Sequence, residues 1–365
     1  MIQKYPTPYE IQEVLNSATI SRNLVNEFAQ ERGIFLINAS KDSLVEELSS
    51  YFYEYSDIDA IRSLAYQSSG KQVLSGFSVS ATKDFNLESL YDRVREYGQL
   101  ETKGYKLKAI TKKTKDGTIV YHGEIEYTKR KSGKIEFLQN EKFATDFYFY
   151  ETESGIWQVE VDGSTSSDGK EVMKLIGIAI QDTTGEIETL EIDNLETSNV
   201  VTFFDRLAKE GLNPKEWNIS DIKQLTFKKR KNTVVDTEDA EDAEDDDLSH
   251  VGSEELGGIS QAVLDGKNLR EHPFVIQAEN DGCVFTAMTY EFENILKPNV
   301  IAIKAEFKGS PKIFEVSIVS TSKIEGIKKK KICYQETQEY KRNMSSFFWN
   351  NAKKIYTELK KKSSD

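Results

Sequence analysis

Residues 105–128 read YKLKAITKKTKDGTIVYHGEIEYT, and the fold class turns on them. Lys106, Lys108 and Lys112 occupy alternate positions, so an extended strand places them on one face, with Lys113 and Lys115 continuing into the turn. Asp116-Gly117 is a hairpin signal, and the β-branched run Thr118, Ile119, Val120 opens a second strand. Working outward, KIEFL (134–138), FATDFYFYE (143–151) and IWQVEVDG (156–163) read as further strands, with turn signals at Ser132-Gly133 and Ser154-Gly155. Upstream, Phe77 and Val79 begin a strand. Leu87, Leu90, Tyr91 and Val94 then share the face of a helix that ends near Gly98. Lys170 to Ile180 reads equally as a helix or as a buried strand.

A second pass of the same grammar follows. EIETLEI (186–192) leads to the helical VVTFFDRLAKEG (200–211), as the strand at Phe77 leads to the helix at Leu87. IKQLTFKKRKNTVV (222–235) parallels residues 105–120, both being apolar-then-basic strands that turn into β-branched residues. CVFTAMTYEFEN (283–294), NVIAIKAEF (299–307) and KIFEVSIVS (312–320) are strand-like, and a long helix closes the chain with Met344, Phe347, Phe348, Ala352, Ile355 and Leu359 on one face. The expectation is an α+β protein. A small helical module (1–75) precedes two sheet-plus-helix units, 76–185 and 186–362, arranged as a degenerate duplication.

Charge is unevenly spread over the 365 residues. The 48 Lys plus Arg and 61 Asp plus Glu give −13, but residues 1–75 carry −4, 76–232 carry −3, 233–300 carry −14 and 301–365 carry +8. Asp236 to Glu255 holds eleven acids and no Lys or Arg, so the rest of the chain stands at only −2. Such a block cannot bury enough apolar surface to offset its ordering entropy, and 233–258 is expected to be a disordered acidic insert inside the second unit. It serves either as a solvated linker or as a tethered polyanion that competes for a basic face. No apolar run approaches the roughly 18–20 residues of a spanning helix. The first twenty residues lack the basic start and apolar stretch of a signal peptide. Cys283 and Cys333 are too few for a disulfide framework and suit a reducing compartment. The expectation is an intracellular protein, cytoplasmic with the nucleus as the alternative, and with no membrane partner.

The N-terminal 70 residues read as helical. Ile11, Val14 and Leu15, then Leu24, Val25 and Phe28, then Leu44, Val45 and Leu48 form three apolar stripes. Ser21 and Ser40 stand at N-cap positions and Gly33 at a helix stop. The stretch SRNLVNEFAQERGIFLINASKDSLVEELSSYF (21–52) resembles the helix-extended-helix pattern of the SAP family, small modules that commonly bind DNA. The matching positions are Leu24, Phe28, Gly33, Lys41, Leu44, Val45 and Leu48. The resemblance implies DNA binding with Lys41 at the contact. It departs at Asp42, Glu46 and Glu47, where DNA-binding members usually show more base.

Residues that could carry chemistry are sparse. His122, His250 and His272 are isolated from the two cysteines, and no zinc spacing, phosphate-cradling GxxxxGK[ST] loop or GxGxxG fingerprint occurs. No metal or cofactor is expected, and both cysteines read as small buried apolar residues. Glu306-Phe307-Lys308, with Asp281 upstream, has the acid-x-Lys form of a metal-dependent nuclease, a pattern this acid- and lysine-rich chain also produces by chance. The basic clusters say more. Lys106, Lys108, Lys112, Lys113 and Lys115, then Lys129, Arg130 and Lys131 crowd one pair of hairpins, and Lys228, Lys229, Arg230 and Lys231 recur in the second unit. Lysines so placed neutralise phosphates, although lysine on a sheet edge also blocks edge pairing. Function is therefore expected to be a non-enzymatic nucleic-acid-binding subunit, with DNA favoured over RNA and other protein subunits as partners. The alternatives are a protein–protein adaptor and a metal-dependent nuclease.

Overall fold

The computed structural model describes residues 5–17, 20–35, 39–67, 72–80, 86–98, 105–115, 118–130, 140–153, 155–164, 166–181, 185–229, 261–266, 269–309, 311–326, 330–334 and 336–362. The acidic insert, KIEFL (134–138) and the turns at 116–117 and 132–133 lie outside them. Contacts divide the chain into two compact units. One comprises residues 1–70, 100–108 and 125–144; the other comprises 71–99, 109–124 and 145–365.

The first unit holds α1 (Pro8–Asn16), α2 (Arg22–Glu31), α3 (Lys41–Ser49) and α4 (Tyr55–Gln67). The caps explain their starts. The Thr7 hydroxyl accepts from Glu10 N while the Glu10 carboxylate accepts from Thr7 N, a reciprocal capping box. Ser21 and Ser40 cap α2 and α3 by accepting from Leu24 N and Ser43 N. Past α2, Gly33 adopts φ 75°, the left-handed turn that lets Ile34 N reach back to Ala29 O. Ile11, Val14, Leu15, Val25, Phe28, Leu44, Val45 and Leu48 share one buried core with Ile58 and Ile61 of α4.

The remaining elements begin with β1 (Val73–Ser80), α5 (Leu87–Gly98), β2 (Tyr105–Lys115), β3 (Thr118–Arg130), β4 (Asn140–Glu153), β5 (Ile156–Gly163) and α6 (Ser166–Ala179). Then come β6 (Glu186–Thr189), α7 (Thr197–Glu210), β7 (Trp217–Lys229), β8 (Gln261–Asp265), α8 (Pro273–Asn280), β9 (Cys283–Asn294), β10 (Asn299–Lys308), β11 (Ile313–Glu325), β12 (Lys330–Cys333) and α9 (Gln338–Lys362). The open choice at 170–180 resolves as helix, because Val172, Leu175, Ile176 and Ala179 bury one stripe at helical spacing.

The strands form one sheet in the order β2-β3-β4-β5-β1-β11-β10-β9-β7-β8, with β12 on β11 and β6 on β1. Within it the order strand, helix, four-strand meander, helix occurs twice. β2-β3-β4-β5 leads back to β1, and β7-β9-β10-β11 leads to the β6 end through a Glu191–Ile313 bridge. The second copy carries residues 230–282 between the first two strands of its meander.

Central β1 shows why VLSGFSV reads as an unbroken run rather than an alternation: seven successive residues are buried, so both of its faces are covered. Neighbouring residues of a strand face opposite ways. A Cβ on α6 Gly169 would lie 2.4 Å from Ser75 Oγ, and one on Gly76 would lie 2.9 Å from Trp349 of α9. Helix α6 therefore covers one face of β1 and α9 the other. The α9 side carries a large core, in which Phe203, Phe204 and Leu207 of α7 join Phe285, Tyr290, Ile303, Phe307, Phe314, Phe348 and Trp349. Phe347, expected in the α9 stripe, is 46% exposed, and Trp349 takes its place. Cys283 is buried as expected. Cys333 is exposed, because β12 is a four-residue edge strand with every residue exposed.

Candidate functional site

The sequence-predicted lysines divide by location. Lys41 is half-buried and donates to Ser17 O at 2.8 Å, a bond within its own helical unit. Lys106 and Lys108 are exposed on β2, and Lys108 pairs with Glu126 of β3 at 3.0 Å. Lys112 is exposed, pairs with Glu88 of α5 at 3.4 Å and lies 5.6 Å from the Tyr121 ring centroid. Lys113 is exposed and makes no ion pair among the described residues. Lys115, Lys129 and Arg130 end strands β2 and β3, and Lys229 ends β7; Lys228, also on β7, is half-buried. Lys131, Arg230 and Lys231 lie outside the described residues. β2 and β7 stand eight strand positions apart in the sheet order, which at about 4.8 Å per strand is on the order of 38 Å along the sheet.

The acid-x-Lys segment does not assemble with its upstream acid. Glu306 is opposite Ala287 of β9 and Glu315 of β11, and Asp281 falls before β9 begins. The Glu306 carboxylate accepts from Lys304 at 2.5 Å. Among the described residues no group of three His, Cys, Asp or Glu side chains could hold a metal ion.

A dense polar arrangement lies beneath α9 between Arg342 and Lys353, and the sequence showed no sign of it as a group. Tyr148 and Tyr150 of β4 face away from buried Phe147 and Phe149, as their alternation predicts. Strand register sets Asp146 opposite Asp162, Tyr148 opposite Glu160 and Tyr150 opposite Gln158. His122 of β3 bonds Asp146 at 2.7 Å and stacks on Tyr148 with centroids 4.6 Å apart. From α9, Arg342, Ser346, Asn350 and Lys353 descend one helical stripe onto this ladder. One oxygen of buried Glu160 accepts from Tyr150 (2.8 Å), Ser346 (2.8 Å) and Asn350 (3.2 Å). Lys353 donates to Gln158 at 2.5 Å, and burial lowers its pKa.

Two features of this ladder are unusual. Burial pushes the Asp162 carboxyl up to about 6, against the hydrogen bond from Gln72 (2.7 Å) and the positive charge of Arg342, with Asp146 and Glu160 adding to the rise. The Arg342 guanidinium lies 3.3 Å over the Tyr148 ring, yet among the described residues it makes no hydrogen bond or ion pair, and its buried Nε has no partner. The surrounding acids are committed elsewhere: Asp146 to His122, Glu160 to its three donors, Asp162 to Gln72.

The chain matches no known protein family, and no curated protein matches it in sequence. A solved structure, the di-domain ARO/CYC StfQ from the steffimycin biosynthetic pathway, aligns with 80% of this chain and 99% of its own at 10% identity and a TM-score of 0.20, too low to carry fold or function across.

Proposed function

We propose that the chain is a non-enzymatic nucleic-acid-binding subunit, with DNA favoured over RNA, and that β2 and β7 are its two contact strands. One positional observation carries this. β2 and β7 each begin the meander of their half of the sheet, and each bears a run of lysines at its end. The repeated order of elements is read as a degenerate duplication that presents one lysine strand per copy. Their separation, on the order of 38 Å along the sheet, is close to the roughly 34–36 Å turn of a DNA duplex. Two phosphate contacts on one side of a duplex fit that spacing. The SAP-like reading of residues 21–52 belongs to the same proposal.

A salt-dependent titration on duplex and single-stranded DNA and RNA tests it. Affinity should fall linearly in log-log form, with a slope of about −0.9 per phosphate neutralised on duplex. Converting Lys112, Lys113, Lys228 and Lys229 to Gln should shallow that slope by about 3 to 4 units, whatever the sequence of the probe. Absence of binding at low salt would sink the reading.

A protein–protein adaptor is the second reading, favoured by aromatics left exposed on the helical unit. Phe52 is 90% exposed, Phe35 72%, Tyr9 65% and Tyr55 63%, and Phe52 stacks on Tyr5 at 4.8 Å. Exposed apolar groups of this size mark interaction surfaces. On this reading a protein co-purifies with the wild type and is lost on Phe52→Ala, while the lysine changes leave it in place. Retention of that partner by Phe52→Ala argues against the adaptor surface. Among the described residues no helix is long and apolar enough to cross a membrane.

A further inference from the structure

We propose that Arg342, Tyr148 and Asp162 form a binding site for a small oxyanion of the phosphate or sulfate type, taken up together with a proton. The argument starts from Arg342. A guanidinium presents five N–H donors in a planar fork that matches two oxygens of a carboxylate, phosphate or sulfate. Here the guanidinium carbon lies 3.3 Å from the Tyr148 ring centroid, and among the described residues the group makes no hydrogen bond or ion pair, although its charge acts on Asp162. Asp146, Glu160 and Asp162 are each held by other donors, which leaves the donors of Arg342 available to an added oxyanion. Gln72 is committed to Asp162, to which its Nε2 donates at 2.7 Å.

An anion arriving among carboxylates is repelled unless one of them is neutral. The groups that face Asp162 are Asp146 and Tyr148 from β4, Glu160 from its own strand, Arg342 from α9 and Gln72 from the approach to β1, with His122 of β3 behind Asp146. Burial already holds Asp162 near 6, within reach of proton uptake at neutral pH. A second negative charge nearby raises it further, so binding the oxyanion and protonating Asp162 favour one another. His122 is 25% exposed and Asp146 47%, which leaves the His122 side of the ladder open to solvent.

Sulfate is the decisive probe, because it does not titrate between pH 5 and 8. Calorimetric titration of the full chain with sodium sulfate at fixed ionic strength should show saturable binding with one proton taken up per anion. Above pH 6 the affinity should fall about tenfold per pH unit. Arg342→Gln should weaken binding by tenfold or more. Arg342→Lys, which keeps the charge but not the fork, should weaken it by less. Asp162→Asn should bind sulfate with an affinity nearly independent of pH, and this variant keeps the test decisive if the Arg342 variants fail to fold. Lys112→Gln and Lys113→Gln should leave sulfate affinity unchanged, which separates this site from the proposed nucleic-acid surface. Equal sulfate affinity in wild type and Arg342→Gln, a pH-independent wild type, or no saturation would each overturn the proposal.

Discussion

Replacing Trp349 by Ala is expected to remove about 3–5 kcal/mol of folding stability, measured by urea unfolding, the range for emptying a large aromatic site in a packed core. Trp349 is fully buried, and it seats against the one position of β1 that has no side chain, Gly76. A Cβ at Gly76 would come within 2.9 Å of both the Trp349 ring and Val159 O, so Gly76→Ala should also destabilise, by a clash rather than a cavity. The two changes should not add. With the indole gone, the side-chain part of the Gly76→Ala clash disappears and only the backbone contact remains. The double variant should therefore be more stable than the sum of the single effects predicts. Additivity within about 0.5 kcal/mol would show that α9 does not seat on β1 through this pair.

Asp162→Asn is expected to stabilise the fold at pH 7, by up to about 3 kcal/mol if the full rise in pKa is removed. The sign follows from the direction of the shift. The carboxyl titrates near 6 in the folded chain against 3.8 ordinarily, so the folded state holds its proton more tightly than the unfolded one. Its contribution is therefore most favourable below pH 3.8 and is lost as pH rises from 3.8 to about 6. The stability difference between variant and wild type should be small at pH 3.5, grow by about 1.4 kcal/mol per unit and level off above 6. Because other carboxylates titrate over the same range, the difference curve is the measurement, and parallel wild-type and variant profiles would refute the assignment. A charge that weakens its own fold fits a group placed for binding, where stability and function compete.

Much of the fold is legible in the sequence because it rests on local signals. The period-two lysines of 105–115 lie on a strand, Ser21 and Ser40 cap the helices they precede, and Gly33 turns where α2 stops. Residues 170–180 were ambiguous because an apolar run of that length suits both a helix and a strand buried on two faces, and only packing beside β1 separates them. Phe347 falls outside the buried stripe for a related reason: on a helix of this length, which residues form the buried stripe depends on the angle at which the helix lies on the sheet. Cys333 is exposed because β12 pairs with β11 alone. The candidate oxyanion site had no sequence signal. Its members come from β3, β4, β5, the segment before β1 and a helix some two hundred residues further on. Arg342 appears in the sequence only as one base in a +8 segment.

The sequence by itself determined the periodicities, the caps, the α+β class, the repeated order of elements and the concentration of acid between Asp236 and Glu255, all properties of near neighbours along the chain. Only the tertiary structure decided that β1 would be covered on both faces, that β2 and β7 would stand eight strand positions apart, and that Arg342 would lie over Tyr148 beside a carboxyl shifted to about 6. Strand order, burial and the pairing of charges depend on contacts between residues distant in sequence, and local patterns do not specify those contacts.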